Sequence, residues 1–327
     1  MPHMQLFAPI FTQMIFLFSF IIIGFILSKW KFIPENSATI LSKLENIVFV
    51  PALVMGTFMN KCTMETLKSV GMLLLLGFAL VMVLIPISLL FAKICFKEKY
   101  LQKIATYGLA FSNFGFMGNA IVLGVFGADV FFQYTIFTLP LWFMIYLWGA
   151  PVLLISGSNE NGEKVKFSQR IKNFLNPMFI AMFIGMIFGL TGFTSYIPQG
   201  FVSVIDSAGA CMSPIAMLLT GMTIGKLNLL KLLGKWRLYL LSFVKLIVYP
   251  LLFIAVFAFV PTGDILTETV LICAMCVMAM PTGLNTIVIP AAYGKDTSDA
   301  AGMALITHIL SVGTIPLMFM LLQNVVL

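Results

Sequence analysis

Charge is scarce in this chain. Only 9% of its 327 residues are Asp, Glu, Lys or Arg, and the two histidines are His3 and His308. A water-soluble domain needs a charged surface, and a composition 61% hydrophobic with a mean hydropathy of +1.06 leaves none. Cysteine is scarce too. The five residues Cys62, Cys95, Cys211, Cys273 and Cys276 are odd in number and lie mostly inside apolar runs, which implies no disulfide framework. Cys273-x-x-Cys276 has a redox or zinc spacing, but such a site needs a second pair or nearby histidines, so the two read as small packing residues. Residues 1–28 hold neither Lys nor Arg, and the first apolar run is too long for the core of a leader, so no cleaved signal peptide is expected. Gly-x-Ser-Gly, Gly-x-Gly-Asp and His-Glu-x-x-His are all missing. An intramembrane protease would need one of them, and the chain is not expected to be an enzyme.

What is present is apolar length. Segments long enough to span a bilayer fall at roughly 7–28, 38–60, 67–92, 104–126, 130–155, 176–192, 199–225, 236–260, 266–291 and 300–324. The runs are continuous rather than alternating, which predicts an all-α polytopic membrane protein of ten transmembrane helices and excludes barrel strands. The loops sort by charge. Lys29 and Lys31, Lys93, Lys97, Lys99 and Lys103, Lys164, Lys166, Arg170 and Lys172, Lys226, Lys231, Lys235 and Arg237, and Lys295 fall on one face, whereas only Lys61 and Lys68 fall on the other. The basic face is then cytoplasmic and both termini are outside the cell membrane. The net charge of +7 is a topology signal in this reading, and no nucleic-acid partner is expected.

A hydrophilic stretch, "SGSNENGEKVKFSQRIKNF", reads as a cytoplasmic linker over 156–175 between halves 1–155 and 176–327. The halves repeat. Pro34, Pro51, Pro86, Gly127 and Pro151 stand 164, 163, 164, 167 and 165 residues before Pro198, Pro214, Pro250, Gly294 and Pro316, and Asn119 stands 166 before Asn285. Five spans per half force the second half to enter from the opposite side. Inverted repeats with broken helices predict a secondary transporter whose site lies where the breaks meet. In the fourth span the breakers are Asn113, Gly115, Gly118 and Asn119, with the opening expected near the two glycines. In the ninth they are Pro281, Thr282, Gly283 and Asn285. Irregular backbone at membrane depth is tolerated only against protein or a wet cavity, and the freed helix N-termini suit a carboxylate. The plainer reading, that glycine and asparagine serve close helix packing, weakens when two repeat-related spans carry the same device.

At these residues the chain resembles the auxin efflux carrier family, which includes bacterial malate and malonate permeases. "NFGFMGNA" (113–120) is similar to that family's Asn-x-Gly-Phe-Met-Gly-x-Pro, and "DSAGACMSPIAMLLTGMTIG" (206–225), "KLIVYP" (245–250) and "MPTGLN" (280–285) are similar to its seventh, eighth and ninth spans. The resemblance implies two inverted five-helix repeats with crossing fourth and ninth helices, a homodimer, and elevator-type transport of small organic anions, with Asn113 touching the substrate. It names no cofactor. Three positions depart from the pattern: Ala120 replaces a common Pro, Asn119 a common apolar residue, and His308 a small hydroxyl residue. A channel would more usually show a ring-forming filter, and a sensor an appended soluble domain.

Four ionisable residues fall at depth. Asp206 and Lys245 are expected to couple, either as a structural ion pair or with Lys245 drawing in the anion. Glu45 stands near the repeat counterpart of Asp206. His308 is either a neutral hydrogen-bonding group or a proton carrier. Proton-coupled, sodium-coupled and uniport cycles are all consistent with these residues, although no sodium-site motif is legible.

Overall fold

The structure, a computed structural model, describes residues 6–155, 176–226, 234–260, 263 and 265–327. The expected linker at 156–175 and the basic residue Lys231 lie outside the described residues. Among these residues the chain is helical, without strands. In lipid this is what backbone chemistry demands, because a helix satisfies its own N–H and C=O groups where no water can.

In chain order the helices are α1 (Phe7–Lys29), α2 (Ser37–Lys61), α3 (Leu67–Cys95), α4 (Lys99–Ala110), α5 (114–126), α6 (127–155), α7 (Pro177–Thr191), α8 (Gln199–Gly225), α9 (Trp236–Phe257), α10 (Glu268–Met278), α11 (Asn285–Ala292) and α12 (Ser298–Val325). Among the described residues seven uninterrupted helical runs are long and apolar enough to cross a membrane: α1, α2, α3, the run Phe114–Ile155 formed by α5 and α6, α8, α9 and α12. The helices α7 and α10 are apolar but shorter. Start signals match the physics of exposed first-turn N–H groups. The Asn176 side chain accepts from Phe179 N ahead of Pro177, and Thr267 Oγ1 accepts from Val270 N at the head of α10.

Glycine sets how closely the helices approach. Lipid tails are as apolar as leucine, so helix association rests on backbone proximity and dispersion rather than on apolar burial. A side chain at Gly24 of α1 would overlap the Leu218 carbonyl of α8, and one at Gly221 of α8 would overlap the Ile21 carbonyl of α1. The same seam recurs between α2 and α7, where Gly185 and Gly189 face the carbonyls of Met55, Phe58 and Cys62. Gly127 and Gly294 close the segments that follow the two breaks, with φ of +82° and +69°, a region that disfavours any residue with a Cβ.

Several spans contain π-helical turns, which widen the helix by one residue per turn. Glu45 opens one (Glu45–Phe49) and Lys245 lies in another (Val244–Val248). Such turns often mark functional positions in membrane and soluble helices alike.

Candidate functional site

Two interruptions meet at one place. The first lies between α4 and α5, where Phe111 and Asn113 leave helical geometry (φ −117°, ψ 80° and φ −76°, ψ 42°). The second lies between Met278 and Asn285 and contains Pro281 and Gly283. Asn113 N donates to Pro281 O at 2.7 Å, and Ser112 faces Thr282 across an isolated antiparallel bridge. Ser112 Oγ donates to Val277 O at 2.6 Å, satisfying a carbonyl that the end of α10 leaves open. Each break thus supplies backbone partners that the other lost.

The first break is not where the glycines stand. It falls three residues earlier, and Gly115 and Gly118 lie inside the wound turn Phe114–Gly118 that follows. Their role is steric. A Cβ at Gly115 would come within 2.6 Å of the Trp142 ring, and one at Gly118 would overlap the Tyr134 hydroxyl. That hydroxyl donates to Phe114 O at 3.0 Å, so the glycine makes room for the clamp that holds the new helix start.

Helix α12 holds both breaks through consecutive residues. Thr307 Oγ1 accepts from Thr282 N at 3.2 Å and lies 3.0 Å from Thr282 Oγ1. His308 Nε2 lies 3.1 Å from Asn113 Nδ2, and His308 Nδ1 lies 2.7 Å from Ala304 O. On the opposite side Asn285 Nδ2 donates to the Tyr107 hydroxyl at 3.2 Å.

Between these groups is a cleft lined by Tyr107, Phe111, Asn113, Gly115, Trp142 and Asn285, among others, and no charged side chain lines it. Both α5 and α11 begin at the cleft, so first-turn N–H groups and two amides converge there. The space left for the centre of a water molecule is about 20 Å³. A void of ~10–15 Å³ is enough for one water, so this conformation has room for a water and excludes a dicarboxylate until the aromatic walls move. A larger cavity of about 310 Å³ lies between α3, α9 and α10, but its walls, such as Leu80, Phe253 and Val270, are apolar and offer nothing to an anion.

The structure gathers Asn113, Gly115, Gly283 and Asn285 at the cleft, with Pro281 and Thr282 in the bond network behind it. Asn119 does not join them. It sits one turn into α5, half-buried, and does not line the cleft. The residues that face each other across the two breaks are Ser112 and Thr282. The expected pairing of Asp206 with Lys245 is absent: among the described residues the ion pairs are Lys61–Asp129 and Lys235–Asp299. Lys245 is fully buried, bonds Leu109 O at 3.2 Å near the C-terminal end of α4, and lies over the Tyr249 ring. A helix C-terminus carries partial negative charge, so it attracts a cation as a carboxylate would. Asp206 is exposed and borders a separate cavity beside Gly56 and Asn60. Glu45, its suggested counterpart, is fully buried, and neither of its carboxyl oxygens has a hydrogen-bond partner.

Sequence reasoning passed over Tyr107, Ser112, Trp142 and Thr307. Thr307 had the best signal, a hydroxyl beside the one histidine in an apolar span.

Comparison with curated individual proteins finds no match. The model of one family, described as membrane transport protein, matches residues 9–319, from the start of α1 to the last turns of α12. The match covers nearly all of a helical, membrane-embedded, multi-pass chain, and the chain belongs to this auxin efflux carrier-type family of membrane transport proteins.

Proposed function

We propose that this transporter carries small organic anions, mono- or dicarboxylates such as malate or malonate, across the cytoplasmic membrane by elevator-type alternating access. Ten crossings make two inverted halves: α1, α2, α3, the broken pair α4–α5 and α6, then α7, α8, α9, the broken pair α10–α11 and α12. Both termini lie outside and the chain works as a homodimer. The glycine seams support the inversion. First span against seventh and second against sixth are the same contact once the halves are exchanged, and Gly127 and Gly294 share a positive φ.

The observation that carries the reading is the meeting of the breaks: Asn113 N on Pro281 O, with an amide from each half beside the cleft. An anion that must leave again is best held by amides and helix N-termini, which attract it without trapping it as a fixed ammonium would. Asn113→Ala and Asn285→Ala are each expected to weaken anion binding by about 1–2 kcal/mol, roughly tenfold, the size of a hydrogen bond to a charged group. Asn324→Ala, exposed near the end of α12, is expected to change nothing. Because Asn113 is buried against His308, its alanine variant also loses stability, and affinities are compared by titration under conditions where every variant is folded. Unchanged affinity in both amide variants would move the site elsewhere. Saturable flux of labelled malate separates this carrier from a channel or a carrier-like sensor.

A further inference from the structure

Helix α12 presents a single imidazole to the first break, and its hydrogen bonds fix its tautomer. Ala304 O can only accept, so His308 Nδ1 carries a hydrogen and donates at 2.7 Å. In the neutral ring Nε2 is then a bare lone pair. It accepts from Asn113 Nδ2 at 3.1 Å. With one of its two N–H groups spent on His308, the Asn113 amide is held with its nitrogen toward the ring, and its oxygen is the end left for the cleft, where it repels a carboxylate.

A second proton reverses this. A hydronium ion gives its proton to Nε2: one O–H bond breaks, the Nε2–H bond forms, water is left, and the ring becomes an imidazolium with a donor at both nitrogens. Asn113 Nδ2 can no longer face it. Rotating the amide by half a turn sets Oδ1 against Nε2–H and turns the NH₂ group toward the cleft, where an anion wants it. The new positive charge behind the amide acts in the same direction. We propose that His308 is the proton site of this carrier and that it sets, through Asn113, which end of the amide the anion meets. The proposal rests on the reading that Asn113 contacts the anion.

The surroundings single out this ring. The helices packed most closely on α12 are α1, α4, α9 and α11, and Phe126 of α5, a helix without titratable groups, touches it at Phe319. Their titratable groups at depth are Lys245, bonded to Leu109 O, Tyr107, bonded to Asn285, and Tyr249, bonded to Ser88. Lys29, Lys99, Tyr100, Lys103, Arg237 and Tyr239 lie toward helix ends. On α12 itself Asp299 pairs with Lys235 at the first turn. None of the four neighbouring helices carries a carboxylate, and the one amine at depth, Lys245, is held on Leu109 O rather than on the amides of the cleft.

Linkage fixes the sign. If protonation favours anion binding, the bound anion must favour protonation by the same factor. The test is calorimetric titration with malonate on the intact protein, between about pH 5 and 8 where imidazoles titrate, in buffers of different ionisation enthalpy. Wild type is expected to take up as much as one proton per anion beyond the ligand's own share, and to gain up to about tenfold in affinity per unit fall in pH, the limit for one linked proton. His308→Gln and His308→Ser should still bind, with that extra uptake gone and with affinity following only the ligand's own titration. Both are made so that one folded variant suffices. Wild-type proton uptake in either would overturn the proposal, even where Asn113→Ala weakens binding as the site reading requires. Full affinity in Asn113→Ala would instead overturn the site reading. A merely structural histidine would alter stability and leave the uptake untouched.

Discussion

The two breaks reach the same end by different chemistry. The second contains Pro281 and Gly283, which weaken a helix locally, although Pro86 and Pro316 stand inside continuous helices elsewhere in the chain. The first contains neither proline nor glycine at Phe111–Asn113, and is held open from outside by Pro281 O, by the Tyr134 hydroxyl on Phe114 O and by Lys245 at the end of α4. Their amides differ too. Asn285 rests on a tyrosine hydroxyl, which keeps its proton, whereas Asn113 rests on an imidazole, which can gain one. The comparison teaches that two breaks can share a backbone event while each attaches its own chemistry to it.

The comparison can be broken most sharply at glycine. Gly118→Val should cost about 3 kcal/mol, because an added side chain overlaps Tyr134 and dislodges the clamp on Phe114 O. Gly283→Ala should cost under ~1 kcal/mol, since its Cβ would meet Ser112 O and Phe111 O at 3.3 and 3.4 Å. Thermal unfolding in detergent measures both, and equal losses would mean that the two breaks depend on glycine alike. Next comes the hydroxyl bonding that joins them. Thr307→Val strands the buried Thr282 N–H and should cost about 2 kcal/mol, whereas Ser112→Ala should cost nearer ~1 kcal/mol because a carbonyl tolerates a lost donor better.

A smaller effect separates the amides. Tyr107→Phe removes the partner of Asn285 Nδ2 and should weaken malonate binding by about 1 kcal/mol, near fivefold, equally at every pH. A pH-dependent loss would place the titrating group on the wrong side of the cleft. The smallest effect lies past the breaks, where each glycine is followed two residues on by an aspartate. Asp129 pairs with Lys61 at 2.7 Å, and Asp296 accepts from Ser298 N and Oγ at 2.9 and 2.6 Å. Those two bonds hold the Asp296 carboxyl below its ordinary range. Its contribution is therefore present above the unfolded carboxylate range and is lost as pH falls through the lower folded value. Asp296 is exposed, so Asp296→Ala should cost under ~0.5 kcal/mol at neutral pH and nothing in strong acid. A constant difference across that range would show that the loop is held by something else.

Much of this was legible in the sequence. Apolar length announced the helices, and Pro281 with Gly283 placed the second break where it lies. The first break was misplaced onto Gly115 and Gly118, because its cause is not local: nothing in "LAFSNF" compels a helix to stop. The pairing of Asp206 with Lys245 failed for a related reason. Sequence reading seeks a carboxylate for a buried ammonium, and here the end of a helix serves instead. Family resemblance pointed to Asn113 and marked His308 as a departure, but passed over Tyr107, which bonds the Asn285 amide.

The glycine seam between α1 and α8 bears on motion. A gap of ~0.5–1 Å between touching backbones already forfeits a quarter to a half of their dispersion attraction, so a contact without intervening side chains is sensitive to small shifts. Interfaces padded by long side chains can slide by exchanging rotamers, and this one cannot. Whatever displacement carries a solute across the bilayer, α1 and the second half of α8 must travel or stay as one beam, as must α2 and α7. The sliding has to be taken up along other faces.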